Sequence, residues 1–357
     1  MLVLAILTLV FAQTSSAQTA SEQQAASHAT PSSSWQIEAR LLRPPAAASD
    51  ILRNSIANAP QPNVVNRSLA PKNKTEWEAV IAQRTVERKV DIAQLEKRAN
   101  VSIKRDEIGG VGVYYVVPNS LAAAHKSHLF IHLHGGAYVF GGGDASVAEA
   151  AIIAGFSGMR AMAIDYRMPP THPFPAALDD VVAVYKKLLE TYKSSAIAIG
   201  GTSAGAGLSL AAVHQFKTLE LPVPGAVYAG TPWADLTKTG DSLYTNEGID
   251  RILVTYDGAI GAAALLYANG QDLKNPLLSP VYGEFADFPP TYLVTGTRDM
   301  FLSDTARTHR KLRRAGVVAE LNVYEGLSHA GYLVAVGSTE QKQVYSELAE
   351  FLTKHLD

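Results

Sequence analysis

From Leu129 onwards the chain alternates short apolar runs with helix-like segments, and this rhythm limits the fold more than any other feature. The apolar runs are "LFIHLH", "RAMAID", "AIAIGG", "GAVYAG", "PTYLVTGT" and "AELNVYEG". Strands that are separated by helices form parallel sheets covered on both faces. We therefore predict an α/β fold with a mostly parallel central sheet and helices on both faces.

The first 34 residues differ from this rhythm. Residues 1–17 carry the apolar run "LVLAILTLVFA", which is shorter than the roughly 20 residues of a membrane-spanning helix. The small residues Ser15 and Ala17 precede Gln18, so we predict a secretory signal peptide, although its first residues contain no Lys or Arg. Residues 18–34 consist almost entirely of small and polar residues, and we predict a flexible, low-complexity segment.

Residues 35–100 are predicted to form a helical region. In "TEWEAVIAQRTVERKVDIAQLEKRA" the apolar residues recur at intervals of three and four residues, and Thr75 with Glu78 fits a capping box. Residues 101–357 hold the predicted sheet, which begins with a hairpin that turns at Gly109-Gly110. The stretch near 236–280 interrupts the rhythm and is predicted to be an insertion over the sheet edge.

Composition excludes several classes of function. The 357 residues contain no cysteine, which excludes disulfides, thiolate metal sites and a lipoprotein anchor. The formal net charge of −2 gives no indication of a nucleic-acid partner. With 47% hydrophobic residues, the chain can bury a large core.

The segment "AIAIGGTSAGAGLSLAA" (196–212) passes from a predicted buried strand into a predicted helix through small residues. Its centre, GTSAG (201–205), fits the pattern G-x-S-x-G. In a nucleophile elbow a serine lies at such a strained strand-to-helix turn, where larger neighbours would collide with the strand and helix. We predict that Ser203 is a nucleophile and that N–H groups at the helix start face its Oγ.

A second motif, "HLHGGAYVFGGG" (132–143), follows the predicted strand "LFI". Its His-Gly-Gly segment resembles the HGG(G) loop whose N–H groups bind the oxyanion in lipases and esterases. An alternative is a metal site, because His128, His132 and His134 share one strand face. A strand inside a covered sheet leaves no water-accessible metal position, so we favour the oxyanion loop.

A nucleophilic serine needs a base, and the base needs an orienting acid. His329, in "YEGLSHAGY", lies between the last predicted strand and the last helix. The other histidines considered lie in helices, at the C-terminus or before the serine: His214, His309, His355 and His172. We therefore predict His329 as the base.

Asp299 in "YLVTGTRDMFLSD" directly follows a predicted strand, and we predict it as the acid. Its competitor, Asp304, falls in the first turn of the next helix, where the helix dipole explains a carboxylate. His329 follows Asp299 by 30 residues, which is enough for one helix and one strand. Both loops should then reach the same sheet edge.

Five ordered segments together resemble the bacterial hormone-sensitive-lipase-like (family IV) esterases, in the branch with GTSAG at the elbow. They are "HGGAYVFGGG", "DYRMPPTHPFPAALDDVVAVYKKL", "GGTSAGAGLSLAA", "GTRDMFLSD" and "GLSHAGY". The resemblance covers residues 75–357 and implies an α/β-hydrolase fold, with residues 35–100 and the insertion as a helical cap on a catalytic domain. It implies hydrolysis of short-chain acyl esters without metal or cofactor. The implied residues are Ser203, Asp299 and His329 as the triad, and Gly135, Gly136 and Ala204 as the oxyanion hole.

The chain departs from the family pattern at two positions. Ala137 replaces the third glycine of HGGG; alanine keeps its N–H, so we expect a reshaped oxyanion hole. Thr202 stands where many relatives carry Asp, which defines the branch and removes a buried carboxylate beside the serine. In "DYRMPPTHPFPAALDD" we expect a structural role, with Asp179 and Asp180 stabilised by a helix N-terminus.

The expected function is therefore that of a serine carboxylesterase. A lactone is the same bond closed into a ring, so lactone hydrolysis by the same triad stays open. A non-catalytic receptor, as in the related plant gibberellin receptors, is disfavoured because serine, acid and histidine are all present. We expect a secreted or periplasmic protein without stable membrane insertion after signal removal. A cytoplasmic location and a homodimer stay open.

Overall fold

A computed structural model of the chain describes residues 39, 41–67 and 69–357, and its centre is an eight-stranded sheet. The strands are β1 (Val101–Ile108), β2 (Val111–Pro118), β3 (Leu129–Leu133), β4 (Arg160–Ile164), β5 (Ile197–Thr202), β6 (Ala226–Gly230), β7 (Thr291–Gly296) and β8 (Ala319–Tyr324). They lie in the order β1-β2-β4-β3-β5-β6-β7-β8. β2 pairs antiparallel with β1 and β4, and the other neighbours are parallel. The predicted fold class is confirmed.

Helices cover both faces of this sheet, as predicted. The α-helices are α1 (Asp50–Ala57), α2 (Val64–Arg67), α3 (Lys74–Glu87), α4 (Ile92–Ala99), α5 (Ala148–Ser157), α6 (Ala176–Leu188), α7 (Ala204–Thr218), α8 (Ser242–Thr245), α9 (Ala259–Ala268), α10 (Leu302–Arg314), α11 (Gly331–Val334) and α12 (Thr339–His355). Side chains of α6, α7 and α10 pack in one core with Ile197 and Ile199 of β5. Those of α5 and α12 pack on the opposite face, with Ala198.

The carboxyl ends of the parallel strands meet at one edge of the sheet, and this places the predicted site. β3 ends at Leu133, β5 at Thr202, β7 at Gly296 and β8 at Tyr324. The loops that follow these strands carry the HGG segment, Ser203, Asp299 and His329. In open α/β sheets this edge is where ligands bind.

The region before the sheet differs in detail from the prediction. The capping box at Thr75 and Glu78 is wrong: Asn73 caps α3 and accepts the Glu76 N–H at 3.0 Å. Asn73 and Glu76 satisfy the same pattern two residues earlier, so the helix begins there. The apolar periodicity also spans two helices, because α3 ends at Glu87 and α4 begins at Ile92. The predicted hairpin is confirmed, with Ile108 paired to Val111.

The stretch near 236–280 contains α8 and α9 but no strand of the sheet. The predicted signal peptide (1–17) and low-complexity segment (18–34) lie outside the described residues, as does the start of the region 35–100. Among the described residues, none of the helices has the length and apolar character needed to cross a membrane.

Candidate active site

Ser203 lies at the sharp turn between β5 and α7. Its backbone has φ 64° and ψ −123°, a conformation that is strained for a residue with a side chain. The turn is held because the Ser203 N–H donates to the Gly230 carbonyl at 2.8 Å. A Cβ atom at Gly201 or at Gly205 would lie 1.9 Å from the Leu133 carbonyl oxygen. Only glycine fits two positions before this serine and two positions after it.

His329 and Asp299 reach Ser203 from the loops after β8 and β7. His329 Nε2 lies 2.8 Å from Ser203 Oγ, and His329 Nδ1 lies 3.1 Å from Asp299 Oδ1. An ionised carboxylate only accepts hydrogen bonds, so the proton is on Nδ1 and the Nε2 lone pair faces the serine hydroxyl. The structure thus brings together the three residues that the sequence predicted as a triad.

Asp299 is fixed by its own hydrogen bonds. The Thr295 hydroxyl donates to Asp299 Oδ2 at 2.8 Å, and the Phe301 N–H donates to Oδ1 at 2.8 Å. The Phe301 ring also packs edge-on against the His329 ring at 4.8 Å. Asp299 and His329 are both buried, so the acid and the base are held away from bulk water.

The HGG loop passes beside the serine. Among the described residues, the N–H groups of Gly135, Gly136 and Ala204 have no acceptor, so they are free to bind a substrate oxygen. The loop is held by His134, whose carbonyl accepts the Tyr166 hydroxyl at 2.7 Å and whose ring stacks on Tyr166 at 4.0 Å. Burial lowers the pKa of His134 to about 4, so its ring is neutral and Nδ1–H donates to the Gly135 carbonyl.

Ala137 takes the place of the third glycine of the loop and keeps a glycine-like backbone. Its φ is 54°, in the left-handed region. The alanine N–H is retained, and its left-handed backbone is one that glycine also adopts. The expectation of a reshaped hole concerns a bound substrate and stays a prediction.

The three histidines of the metal-site alternative have different surroundings. His128 pairs with His125 at 2.9 Å, and His132 lies 3.1 Å from Glu149, while His134 stacks on Tyr166. Among the described residues, no group of three or more His, Cys, Asp or Glu residues could hold a metal ion.

A cavity of about 1030 Å³ opens over Ser203 and His329. Its walls include Trp77 and Val80 of α3, together with Ile252 and Leu253 of the insertion. Both regions that the sequence predicted as cap therefore contribute to the cavity. The predicted domain boundaries themselves stay predictions.

Comparison with known proteins identifies the family of this fold. A family model described as alpha/beta hydrolase fold matches residues 130–333, more than half of the chain. The chain belongs to the α/β-hydrolase family. The matched region contains the HGG loop, Ser203, Asp299 and His329.

Named relatives of this hydrolase include an acetyl-hydrolase and an esterase. An acetyl-hydrolase of Streptomyces hygroscopicus is 31% identical over 208 residues, or 58% of this chain and 69% of the relative. An esterase of Acinetobacter venetianus is 30% identical over 233 residues, or 65% of this chain and 77% of the relative.

Solved structures give the same result. Esterase E25 is 49% identical, with a TM-score of 0.88 over 91% of this chain and 99% of that chain. An esterase from the bacterial hormone-sensitive lipase family is 29% identical, with a TM-score of 0.72 over 87% of this chain and 100% of that chain. The hydrolase is an esterase of the bacterial hormone-sensitive-lipase-like group.

Thr202 places no carboxylate next to the serine, as expected, but its hydroxyl contacts a buried carboxylate from elsewhere in the fold. Glu149 of α5 supplies this carboxylate, and its Oε1 accepts the Thr202 hydroxyl at 2.6 Å. The hydroxyls of Tyr228 and Tyr345 also donate to Oε1, each at 3.2 Å. Threonine leaves the position next to the serine neutral, but its hydroxyl joins that position to a carboxylate from another helix.

Asp304 lies in the first turn of α10, as predicted, but the helix dipole is an incomplete explanation of its carboxylate. It is 1% exposed, and its Oδ2 accepts the N–H groups of Ala234 and Asp235 at 3.1 and 3.0 Å. Burial, followed by the nearby charge of Asp235, raises its pKa well above the ordinary value. Asp304 therefore acts as a buried connector between α10 and the segment after β6.

Asp180 is likewise more than a helix-start charge. It is buried and lies 2.7 Å from the Arg167 guanidinium, and it also accepts the Arg167 N–H at 2.8 Å. The helix dipole was an incomplete explanation, because this carboxylate fixes the segment that follows β4. The structural role expected for the region is consistent with these contacts.

The insertion contributes two contacts to the site that sequence reasoning missed. The Asn246 amide donates to the Asp299 carbonyl at 2.8 Å, and Asp250 accepts the His329 N–H at 3.2 Å. No motif marks either residue, because both lie in the stretch that interrupts the strand–helix rhythm. Only the tertiary structure brings them to the loops after β7 and β8.

Proposed function

We propose that this esterase is a serine carboxylesterase that hydrolyses short-chain acyl esters through a Ser203–His329–Asp299 triad and an acyl-enzyme intermediate. The observation that carries the proposal is the chain of two contacts, 2.8 Å from Ser203 Oγ to His329 Nε2 and 3.1 Å from Nδ1 to Asp299. A nucleophile within hydrogen-bond reach of an oriented base is the arrangement that acyl transfer requires.

In this mechanism His329 Nε2 takes the proton of Ser203 Oγ as the oxygen attacks the ester carbonyl carbon. Asp299 accepts the Nδ1–H hydrogen bond and stabilises the imidazolium that forms. The tetrahedral intermediate collapses, and Nε2–H protonates the departing alcohol. Water, deprotonated by the same nitrogen, then attacks the acyl-enzyme, and the acid leaves as Ser203 regains its proton.

The oxyanion of each tetrahedral intermediate would be bound by the N–H groups of Gly135, Gly136 and Ala204. Their lack of acceptors in the described residues supports this role. Ala204 is the first residue of α7, so the helix dipole adds to the field at the developing charge. Preorganised donors of this kind need no reorientation during the reaction.

Covalent labelling tests the nucleophile directly. We expect an organophosphate to phosphorylate Ser203 stoichiometrically and to abolish hydrolysis of an aryl acetate. Peptide mapping by mass spectrometry gives the position of the label. Labelling of another residue, with activity retained, would remove the basis of the proposal.

We predict that hydrolysis is fastest for acyl chains of about two to eight carbons, because a walled cavity limits the length of the acyl group. The measurement is kcat/KM for p-nitrophenyl esters of graded chain length, with an emulsified long-chain triglyceride for comparison. Faster hydrolysis of the triglyceride would contradict the prediction. A lactone with a higher kcat/KM than any linear ester would identify a lactone hydrolase that uses the same triad.

We also propose that the esterase is exported. The apolar run and the small residues before Gln18 support this, and the expected mature chain begins at Gln18. Expression of the full chain in a Gram-negative host, followed by intact mass measurement of the periplasmic and culture fractions, tests the proposal. Leu7→Arg, which interrupts the apolar run, should retain the chain in the cytoplasm. Uncleaved wild-type chain in the cytoplasm would contradict export.

A further inference from the structure

Asp250 is a carboxylate behind the proposed triad that the mechanism above does not use. It lies in the insertion between α8 and α9, and its side chain is fully buried. Neither a surface charge nor a helix start explains it. It lies among the loops that carry Asp299 and His329.

Both oxygens of Asp250 accept backbone N–H groups. Oδ1 accepts those of Ile252 and Leu253 at 2.8 and 3.2 Å, within its own loop. Oδ2 accepts those of Met300 and His329 at 2.9 and 3.2 Å. One carboxylate therefore links the insertion to the residue after Asp299 and to the backbone of His329.

Neighbouring contacts strengthen this link. The Arg251 N–H donates to the Ser328 hydroxyl at 3.2 Å, next to His329. The Asn246 amide donates to the Asp299 carbonyl at 2.8 Å. Because Ile252 and Leu253 line the cavity, the same loop joins the cavity wall to the triad.

The hydrogen bonds fit the ionised form of Asp250. Each oxygen faces two N–H donors, and a protonated carboxyl would direct its O–H at an N–H group. Burial and the charge of Asp299 raise the pKa of Asp250, whereas the charge of His329 and the N–H donors oppose this rise. The negative charge is thus placed next to the one group of the triad that becomes positive.

We propose that Asp250 is a positioning residue of the triad, which fixes the Asp299 and His329 loops and adds a second negative charge beside the imidazole. This inference rests on the proposed function. A negative charge favours the imidazolium over the neutral imidazole, so it stabilises the positive charge that forms on His329 in the transition state. The binding of Asp250 to two loops makes the arrangement rigid.

The charged groups around this centre come from the loops after β7 and β8, from the insertion and from α10, where Asp304 interacts electrostatically with Asp299. Asp299 faces His329 from the loop after β7, and Asp250 faces both from the insertion. Arg251 interacts electrostatically with Asp250 and with Arg298. Neither arginine is changed in the experiment, so a shift in the pH profile reports the loss of the Asp250 charge.

The test compares the pH dependence of kcat/KM for wild type, Asp250→Asn, Asp250→Ser and Asp250→Glu. For the neutral variants we expect kcat to fall by about tenfold. We also expect the acid limb, the low-pH side of the kcat/KM profile, to move by about one pH unit toward lower pH, since a tenfold change in a protonation equilibrium corresponds to one pKa unit. Asp250→Glu restores the charge and should return the limb toward the wild-type position. Active sites are counted by organophosphate titration, so that misfolded protein does not enter kcat.

Asp235→Asn is the matched control. Asp235 is also fully buried and accepts hydrogen bonds on both oxygens, from Thr237 and from Tyr282. It contacts neither Asp299 nor His329 in the described structure. We expect a lower Tm for this variant but an unchanged acid limb, which separates a lost buried carboxylate from a lost charge at the triad.

Two outcomes overturn the inference. A pH profile of Asp250→Asn or Asp250→Ser that superimposes on that of wild type would show that the charge does not act on His329. An equal shift in Asp235→Asn would show a general effect of stability. Ser203→Ala is measured in parallel, and full activity in that variant would show that the proposed triad itself has failed. If Ser203→Ala is inactive and the acid limb of the Asp250 variants does not move, only the role of Asp250 has failed.

Discussion

Ser203→Ala should abolish turnover of an aryl acetate, with a loss in kcat of about 10⁴-fold or more. The variant removes the oxygen that attacks the carbonyl carbon, and no other group lies at hydrogen-bond distance from His329 Nε2 among the described contacts. The fold should be unaffected, because Ser203 Oγ has no partner there other than His329. The measurement is kcat/KM together with the Tm.

Ser209→Ala is the control for this variant. Ser209 is a fully buried serine of α7, the helix that follows Ser203, and its hydroxyl donates to the Gly205 carbonyl at 2.7 Å. It should keep activity near the wild-type value, since its hydroxyl does not face His329. Full activity in Ser203→Ala, or an equal loss in Ser209→Ala, would remove Ser203 from the mechanism.

The sheet and the loops that follow its strands were predictable from sequence for a physical reason. Strands buried on both faces, such as Ile197–Thr202, are continuous apolar runs, and the helices between them have their own periodicity. A strained turn such as that at Ser203 requires glycine two positions before and two positions after the serine, which leaves a local pattern. Position in the chain then indicated that the loops of Asp299 and His329 share one edge with the serine.

The supporting carboxylates could not be predicted in the same way. Glu149, Asp250 and Asp304 are fixed by groups 53, 79 and 70 residues away in the chain. A charged residue at a helix start has the same local sequence whether it is exposed or buried. Burial of Asp304 depends on how the segment after β6 packs on α10, and the sequence pattern contains no record of that contact.

The second large effect separates Asp299 from Asp304. Asp299→Asn should lower kcat/KM by about 10²- to 10⁴-fold. If the amide group faces Nδ1, the imidazole takes the wrong tautomer and presents N–H to Ser203. If the carbonyl faces Nδ1, the tautomer survives, but the imidazolium loses the carboxylate that stabilises it. Activity falls in either orientation.

Asp304→Asn should keep nearly normal activity and serves as the matched control, because Asp304 is equally buried but has no contact with His329. An amide can replace it closely: its carbonyl can accept the N–H groups of Ala234 and Asp235, and its NH₂ takes the position of Oδ1, which has no partner among the described residues. Since both substitutions remove an equally buried carboxylate, a difference in activity between the two variants reports the contact of Asp299 with His329.

The stability of the Asp304 variant should depend on pH with a definite sign. Burial raises the pKa of Asp304 well above 3.8, so the folded state keeps its proton at pH values where the unfolded chain has lost it. Folding of the wild type therefore becomes less favourable as the pH rises above about 3.8 and through the folded-state pKa, whereas the variant lacks this dependence. The Tm of Asp304→Asn relative to wild type should increase with pH over that range. A Tm difference that falls with rising pH would show that Asp304 is ionised in the folded protein. For the activity comparison, an inactive Asp304→Asn together with a nearly normal Asp299→Asn would show that the catalytic acid is misassigned.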